Sequence, residues 1–164
     1  MRFVKLGLIS IVALSIVIFL LSLLIPSQVR ISRAINITAP KDSIIHQLSD
    51  LRQWQQWNEF TGSPEITNPR YSNNAFTSDN LQVQLVLVKT DTITTLWRQQ
   101  GGREIASGFT LHQAGNTAVV QWYFDFRLKW YPWEKFASII FDKQLGPSME
   151  QSLAALKKTL EKTP

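Results

Sequence analysis

The last quarter of the chain, Trp133 to Lys162, constrains the rest. Its second half carries Met149, Leu153, Leu156 and Leu160. Steps of four, three and four residues set these side chains in one stripe along a helix. Glu150 lies near the start of that helix, and Lys157, Lys158 and Lys162 crowd its far end. Both placements suit the helix dipole, and Pro147 suits a first-turn position. Ahead of Gly146-Pro147, Phe136, Ile139, Ile140 and Phe141 predict another helical piece, so one long helix is expected, kinked or broken at that pair. A helix with one apolar face needs a surface to lie on.

The preceding residues supply one. From Val29 to Thr38 the sequence alternates, with Ile31, Ile35 and Ile37 sharing one face with Arg33; this is the pattern of a half-buried strand. Ala39-Pro40 starts a helix whose buried face is Ile44, Ile45, Leu48 and Leu51, and a second short helix, Leu51 to Trp57, carries Trp54 and Trp57. Turn residues dominate from Asn58 to Pro69, which predicts a loop. Strands are then predicted near Arg70–Thr77, Leu81–Thr90, Thr92–Gln99, Glu104–Gln113 and Thr117–Lys129, separated by turn formers. Leu81, Val83, Leu85 and Leu87 share one strand face; Ile105, Ser107, Phe109 and Leu111 share another; Val120, Trp122, Phe124 and Phe126 share a third. One apolar face per strand suits an antiparallel sheet covered on one side and wet on the other. The expected class is α+β: a curved antiparallel sheet of about six strands gripping the long C-terminal helix.

The N-terminus is different in kind. Leu6 to Ile25 is twenty residues without a charge, closed by Pro26. As a helix it spans about 30 Å, the thickness of a bilayer's hydrocarbon core. A cleaved signal peptide is the rival reading, but its apolar region would be about 7–15 residues with small residues at the cut site, and Leu24-Ile25-Pro26-Ser27-Gln28 is a poor match. Residues 1–26 are therefore expected to be an uncleaved transmembrane anchor, and 27–164 one folded domain. Arg2 and Lys5 precede the span, and Arg30, Arg33 and Lys41 follow it, so the flanking charges barely set the orientation. A basic start running straight into the apolar stretch resembles a signal anchor, which places the domain on the extracytoplasmic side of a single-pass membrane protein.

The net charge of +5 falls to +3 without Arg2 and Lys5 (fifteen basic against twelve acidic residues). The remaining basic residues are scattered rather than gathered into a stripe, which argues against a nucleic-acid partner. With no cysteine there is no disulfide, thiolate nucleophile or thiolate metal site.

The segment Val29 to Pro40 and the run Asp50-Leu51-Arg52-Gln53-Trp54-Gln55-Gln56-Trp57 resemble the opening of START-like proteins of the SRPBCC, or polyketide cyclase/dehydrase, group. That opening is an apolar strand, an Ala-Pro helix start and a D-hydrophobic-x-x-W-x-x-W segment. Leu145 to Glu161 is similar to the group's final helix, with its L-x-x-L-K signature, and membrane-anchored members also look like this chain. The resemblance implies a helix-grip fold with a cavity between sheet and helix, used mostly for hydrophobic ligands and in a minority for cyclase or hydrolase chemistry. Lys129-Trp130-Tyr131-Pro132-Trp133 is more aromatic than the group's pattern.

No catalytic constellation stands out. His46 and His112 both fall on polar faces, without a nucleophile or metal-ligand partner nearby in sequence. No HExxH, GxSxG or phosphate-binding glycine loop occurs. No catalytic residue, metal or cofactor is assigned. Binding is better supported: Leu85, Leu87, Trp97, Phe109, Trp122, Phe124 and Met149 are expected inward, with Trp57 and Phe60 at an entrance. Arg33 and Ser107 are the expected polar groups. Plain core packing is the competing reading for each of them, and Trp122→Ala is the discriminating substitution, expected to weaken binding more than folding. The expected function is a membrane-anchored binding protein for a hydrophobic or amphipathic, lipid-like small molecule. The alternatives are a cyclase- or hydrolase-type enzyme using the same cavity, and a ligand-free interaction module with an exposed apolar patch at Trp130–Trp133.

Overall fold

The computed structural model describes residues 2–161, so Lys162 lies outside the described residues. Helix α1, Arg2–Leu23, precedes strand β1, Gln28–Ile37, and helix α2, Lys41–Ser49. The expected second short helix, Leu51 to Trp57, is a 3₁₀ segment over Leu51–Gln56. Strands β2 (Arg70–Tyr71), β3 (Ala75–Thr77), β4 (Leu81–Val88), β5 (Thr92–Gln99), β6 (Glu104–Ala114) and β7 (Thr117–Arg127) follow, then α3 (Pro132–Ser138) and α4 (Phe141–Glu161). The strands form one antiparallel sheet in the order β1-β7-β6-β5-β4-β3-β2.

The sheet has seven strands rather than about six, because the predicted strand Arg70–Thr77 is a small hairpin. Ser72 folds it: its amide and hydroxyl both donate to the Ala75 carbonyl, and the hydroxyl accepts from the Ala75 amide. Strand β4 departs from its expected phase. Leu85 pairs with Thr95 and Leu87 with Thr94, so Val86 is the extra residue of a β-bulge. Beyond a bulge the two faces exchange. Leu81 and Val83 are buried as expected, whereas Leu87, expected inward, is 41% exposed.

Helix α4 lies across β1, and Met149, Leu153, Leu156 and Leu160 are all buried. The expected break at Gly146-Pro147 is absent: α4 runs through Pro147, and the interruption falls at Ile139-Ile140 between α3 and α4. Gly146 lets the helix approach β1. A Cβ there would stand 2.2 Å from Arg33 Nη2. The Arg33 guanidinium crosses at that point to pair with Asp142 (2.9 Å) and Glu150 (2.6 Å), and Asp142 is lowered below the ordinary carboxylate range by it. Arg33 is thus a clamp between β1 and α4.

Helix α1 includes a 21-residue stretch, Phe3–Leu23, long and apolar enough to cross a membrane, a description that a signal sequence also meets.

Candidate functional site

The buried centre of the domain is aromatic. Trp122 on β7 stacks on Phe109 of β6 at 5.1 Å between ring centroids and meets Trp57, Phe60, Trp97 and Phe124 edgewise or tilted within 6.3 Å. Each buried indole that β5 or β7 contributes finds a hydroxyl. Trp122 Nε1 donates to Ser107 Oγ (2.9 Å), which donates to the Tyr123 carbonyl (2.8 Å); Trp97 Nε1 donates to Thr95 Oγ1 (3.0 Å). Satisfying each ring donor this way avoids the cost of a buried unpaired N–H.

Beside this packed centre, a cavity of about 750 Å³ opens to solvent between the loop after Trp57, the ends of β4–β7, α3 and the first turns of α4. Its floor is apolar: Phe60, Trp97, Phe124, Phe126, Phe141 and Leu145. Phe126 and Phe141 pack at 4.8 Å, joining the sheet to the helix across the floor. The loop forms one wall of the cavity and is tied to its neighbours by hydrogen bonds. Asn58 Oδ1 accepts from the amides of Phe60 and Thr61, Glu59 N donates to Ser152 Oγ on α4, and Asn80 Nδ2 donates to the Glu65 carbonyl. That tight turn at Asn58 is what aims Phe60 at the aromatic cluster.

The candidates named from sequence divide into three groups. Phe60, Trp97 and Phe124 line the cavity. Trp57, Phe109, Trp122 and Met149 are buried in the packed interior, and Ser107 is buried as the partner of Trp122. Arg33 is engaged on α4, Leu85 is half-buried, and Leu87 is exposed. His46 and His112 are exposed and outside the cavity. Among the described residues no cluster of three or more metal-ligating side chains occurs. Sequence reasoning passed over Phe126, although it continues the alternation of Trp122 and Phe124. It also passed over the polar rim, which no local pattern marks.

That rim includes Glu59, Glu65, Glu104 and Arg127, and it is tied together by Arg103, just before β6, and Glu134 from the first turn of α3. The guanidinium grips both carboxylate oxygens of Glu134, which also accepts from the Lys129 amide at 2.8 Å. The Arg103 hydrogen bonds, then the Lys129 amide, hold the Glu134 carboxyl down to about 2, from an ordinary 4.5. Glu134 is therefore a fixed anion near neutrality and no proton donor. Because its folded pKa is depressed, the stabilisation from this pair is present above pH 4.5 and lost as the pH falls from 4.5 towards about 2. The Lys129 amide resonance, followed by NMR of the full chain in micelles, should titrate with a midpoint near 2. A midpoint at the ordinary 4.5 would show that the pair does not form.

Residues 28–161 match the family described as polyketide cyclase / dehydrase and lipid transport. No curated protein matches the chain by sequence. Among solved structures, a START superfamily protein from Mycobacterium smegmatis matches with a TM-score of 0.60 at 18% identity, over 82% of this chain and 99% of that one. CalU16 from Micromonospora echinospora matches at 0.56 and 13% identity, over 82% of this chain and 66% of its own. DynU16, from the dynemicin biosynthetic locus, matches at 0.55 and 18% identity, over 81% and 47%. The chain thus spans slightly under two thirds of the CalU16 solution structure and about half of DynU16. At these identities the likeness is one of fold: a curved antiparallel sheet holding a long C-terminal helix.

Proposed function

The chain belongs to the polyketide cyclase / dehydrase and lipid transport family, and from that premise we propose that it is a membrane-anchored binding protein for an apolar or amphipathic, lipid-like small molecule. In this reading residues 1–26 are the anchor and 27–164 the binding domain, held outside the cytoplasm. The observation that carries it is the cavity: an aromatic and aliphatic floor beside a polar lining that includes the Arg103–Glu134 pair, Glu59, Glu65, Glu104 and Arg127.

Such a site suits an amphipath. The apolar part of the ligand rests on Phe60, Trp97, Phe124 and Phe126, and its polar end meets the rim and water. Each Å² of apolar ligand surface removed from water contributes about 25 cal/mol, so a chain covering about 200 Å² gains roughly 5 kcal/mol before ordering costs. The Glu134 carboxylate is committed to Arg103 and the floor is apolar, which supports binding; Glu59, Glu65 and Glu104 also line the cavity.

The test is purification of the full chain from native membranes, followed by organic extraction and mass spectrometry. A stoichiometric apolar compound is expected. Gln144→Trp should abolish its recovery, because Gln144 lines the cavity from an exposed position on α4 and a larger ring there fills the mouth without disturbing the core. Equal recovery from both proteins would place the compound elsewhere, and a clean folded protein would remove the binding reading.

A further inference from the structure

Helix α3 is inside out. Its buried residues are polar, Lys135 at 5% exposure and Ser138 at 6%, whereas Trp133 is 68% exposed and Phe136 37%. The flanking residues extend the pattern: Trp130, Ile139 and Ile140 are 65%, 63% and 48% exposed. A surface helix in water does the reverse, and a contiguous patch of this kind marks a partner surface.

The position of the patch identifies the partner. Lys135 Nζ donates to the Ile25 carbonyl (3.0 Å), placing a cation at the C-terminal end of α1. Trp130 meets Phe19 of α1 edge-on at 6.5 Å, and the Leu128 amide donates to the Ser27 carbonyl (2.8 Å). The patch is therefore fixed at the level where the apolar helix ends. There a tryptophan ring, apolar with one polar edge, is at home between headgroups and acyl chains. Lys129, exposed beside Trp130, adds a positive charge suited to phosphate headgroups.

We propose that Trp130, Trp133, Phe136, Ile139 and Ile140 insert into the lipid headgroup region beside the anchor, so that α3 lies in the membrane surface. The third face of α3, Glu134 and Ala137, lines the cavity. One short helix thus separates the lipid surface from the binding groove and sets the groove's mouth against the bilayer. A ligand can then pass between membrane and groove without crossing bulk water. This inference rests on the reading of α1 as a membrane span.

The chain's six tryptophans make it testable. Trp54, Trp57, Trp97 and Trp122 are buried, and only Trp130 and Trp133 are exposed. The full chain is reconstituted into phosphatidylcholine and phosphatidylglycerol vesicles whose acyl chains carry bromine near the headgroup, washed with alkaline carbonate, and its tryptophan emission is measured. Quenching is expected in the natural sequence and should be lost in Trp130→Phe/Trp133→Phe, a pair of exposed changes that spare the core. If both proteins resist the wash but are quenched equally, the patch does not meet lipid; the anchor stands and the patch belongs to a protein partner. If the protein washes off, the anchor reading fails and this inference falls with it.

Discussion

Trp122→Ala lowers folding stability by about 3–5 kcal/mol, a large share of the roughly 5–15 kcal/mol that holds a domain of this kind together. The ring has no exposed surface. Its removal takes the stacking partner from Phe109 and the neighbour from Trp57, Phe60, Trp97 and Phe124 in one step. It also leaves Ser107 Oγ without the indole donor. Rings this rigid cannot collapse into the space, so both the transfer loss and the cavity remain. Trp122→Phe keeps most of the packing and loses the hydrogen bond, and its expected cost is about 1–2 kcal/mol. Urea unfolding of the full chain in micelles measures both; a loss under about 1 kcal/mol for Trp122→Ala would show that the aromatic centre is not packed as described. The effect on ligand should run the other way. Phe60 is half-buried and forms part of the cavity wall, so Phe60→Ala should cost the fold less and ligand retention more. Alternation along β7 alone suggested Trp122 for that role, because it shows which face a residue takes but not how deep it lies.

What could be read from the sequence was periodic, and what could not was set by contacts between distant segments. The stripe Met149, Leu153, Leu156 and Leu160 is a property of spacing on one helix, and all four residues are buried. The inward faces of β6 and β7 are likewise set by alternation, and Ser107, Phe109, Trp122 and Phe124 are buried. Leu87 escaped the same logic because one bulge at Val86 reverses the faces, and nothing in Leu-Gln-Val-Gln-Leu-Val-Leu-Val marks where the extra residue falls. Pro147 was expected to begin or break a helix by its local chemistry, yet α4 runs through it while packed along β1. The rim of the cavity is the plainest case: Arg103 and Glu134 are 31 residues apart, and only the return of the chain after β7 brings them together. The inverted polarity of α3 was half visible in Trp130–Trp133, but its meaning depends on the end of α1 lying beside it.

The outer face of the sheet carries the second large effect. Gly108→Ala is expected to cost about 1–3 kcal/mol although it adds a single methyl group. Gly108 stands opposite Tyr123 in the β6–β7 ladder, and the tyrosine ring is folded over it. A Cβ at position 108 would stand 2.6 Å from Tyr123 Oη and 2.7 Å from the Ile93 carbonyl oxygen. These two obstacles differ. The phenol is the far end of a side chain and can swing outward, at the expense of its contact with the Arg30 guanidinium, 4.3 Å from the ring centre. The carbonyl belongs to β5, whose neighbouring residue Thr94 is the register partner of Gly108, and it can recede only by opening the β5–β6 ladder. A double-mutant cycle separates them. Tyr123→Ala in the Gly108→Ala background should recover part of the loss, the remainder being the clash with the strand. Full recovery would assign the whole effect to the ring, and no loss in the single variant would mean that β5 and β6 are more loosely joined at this point than their ladder implies.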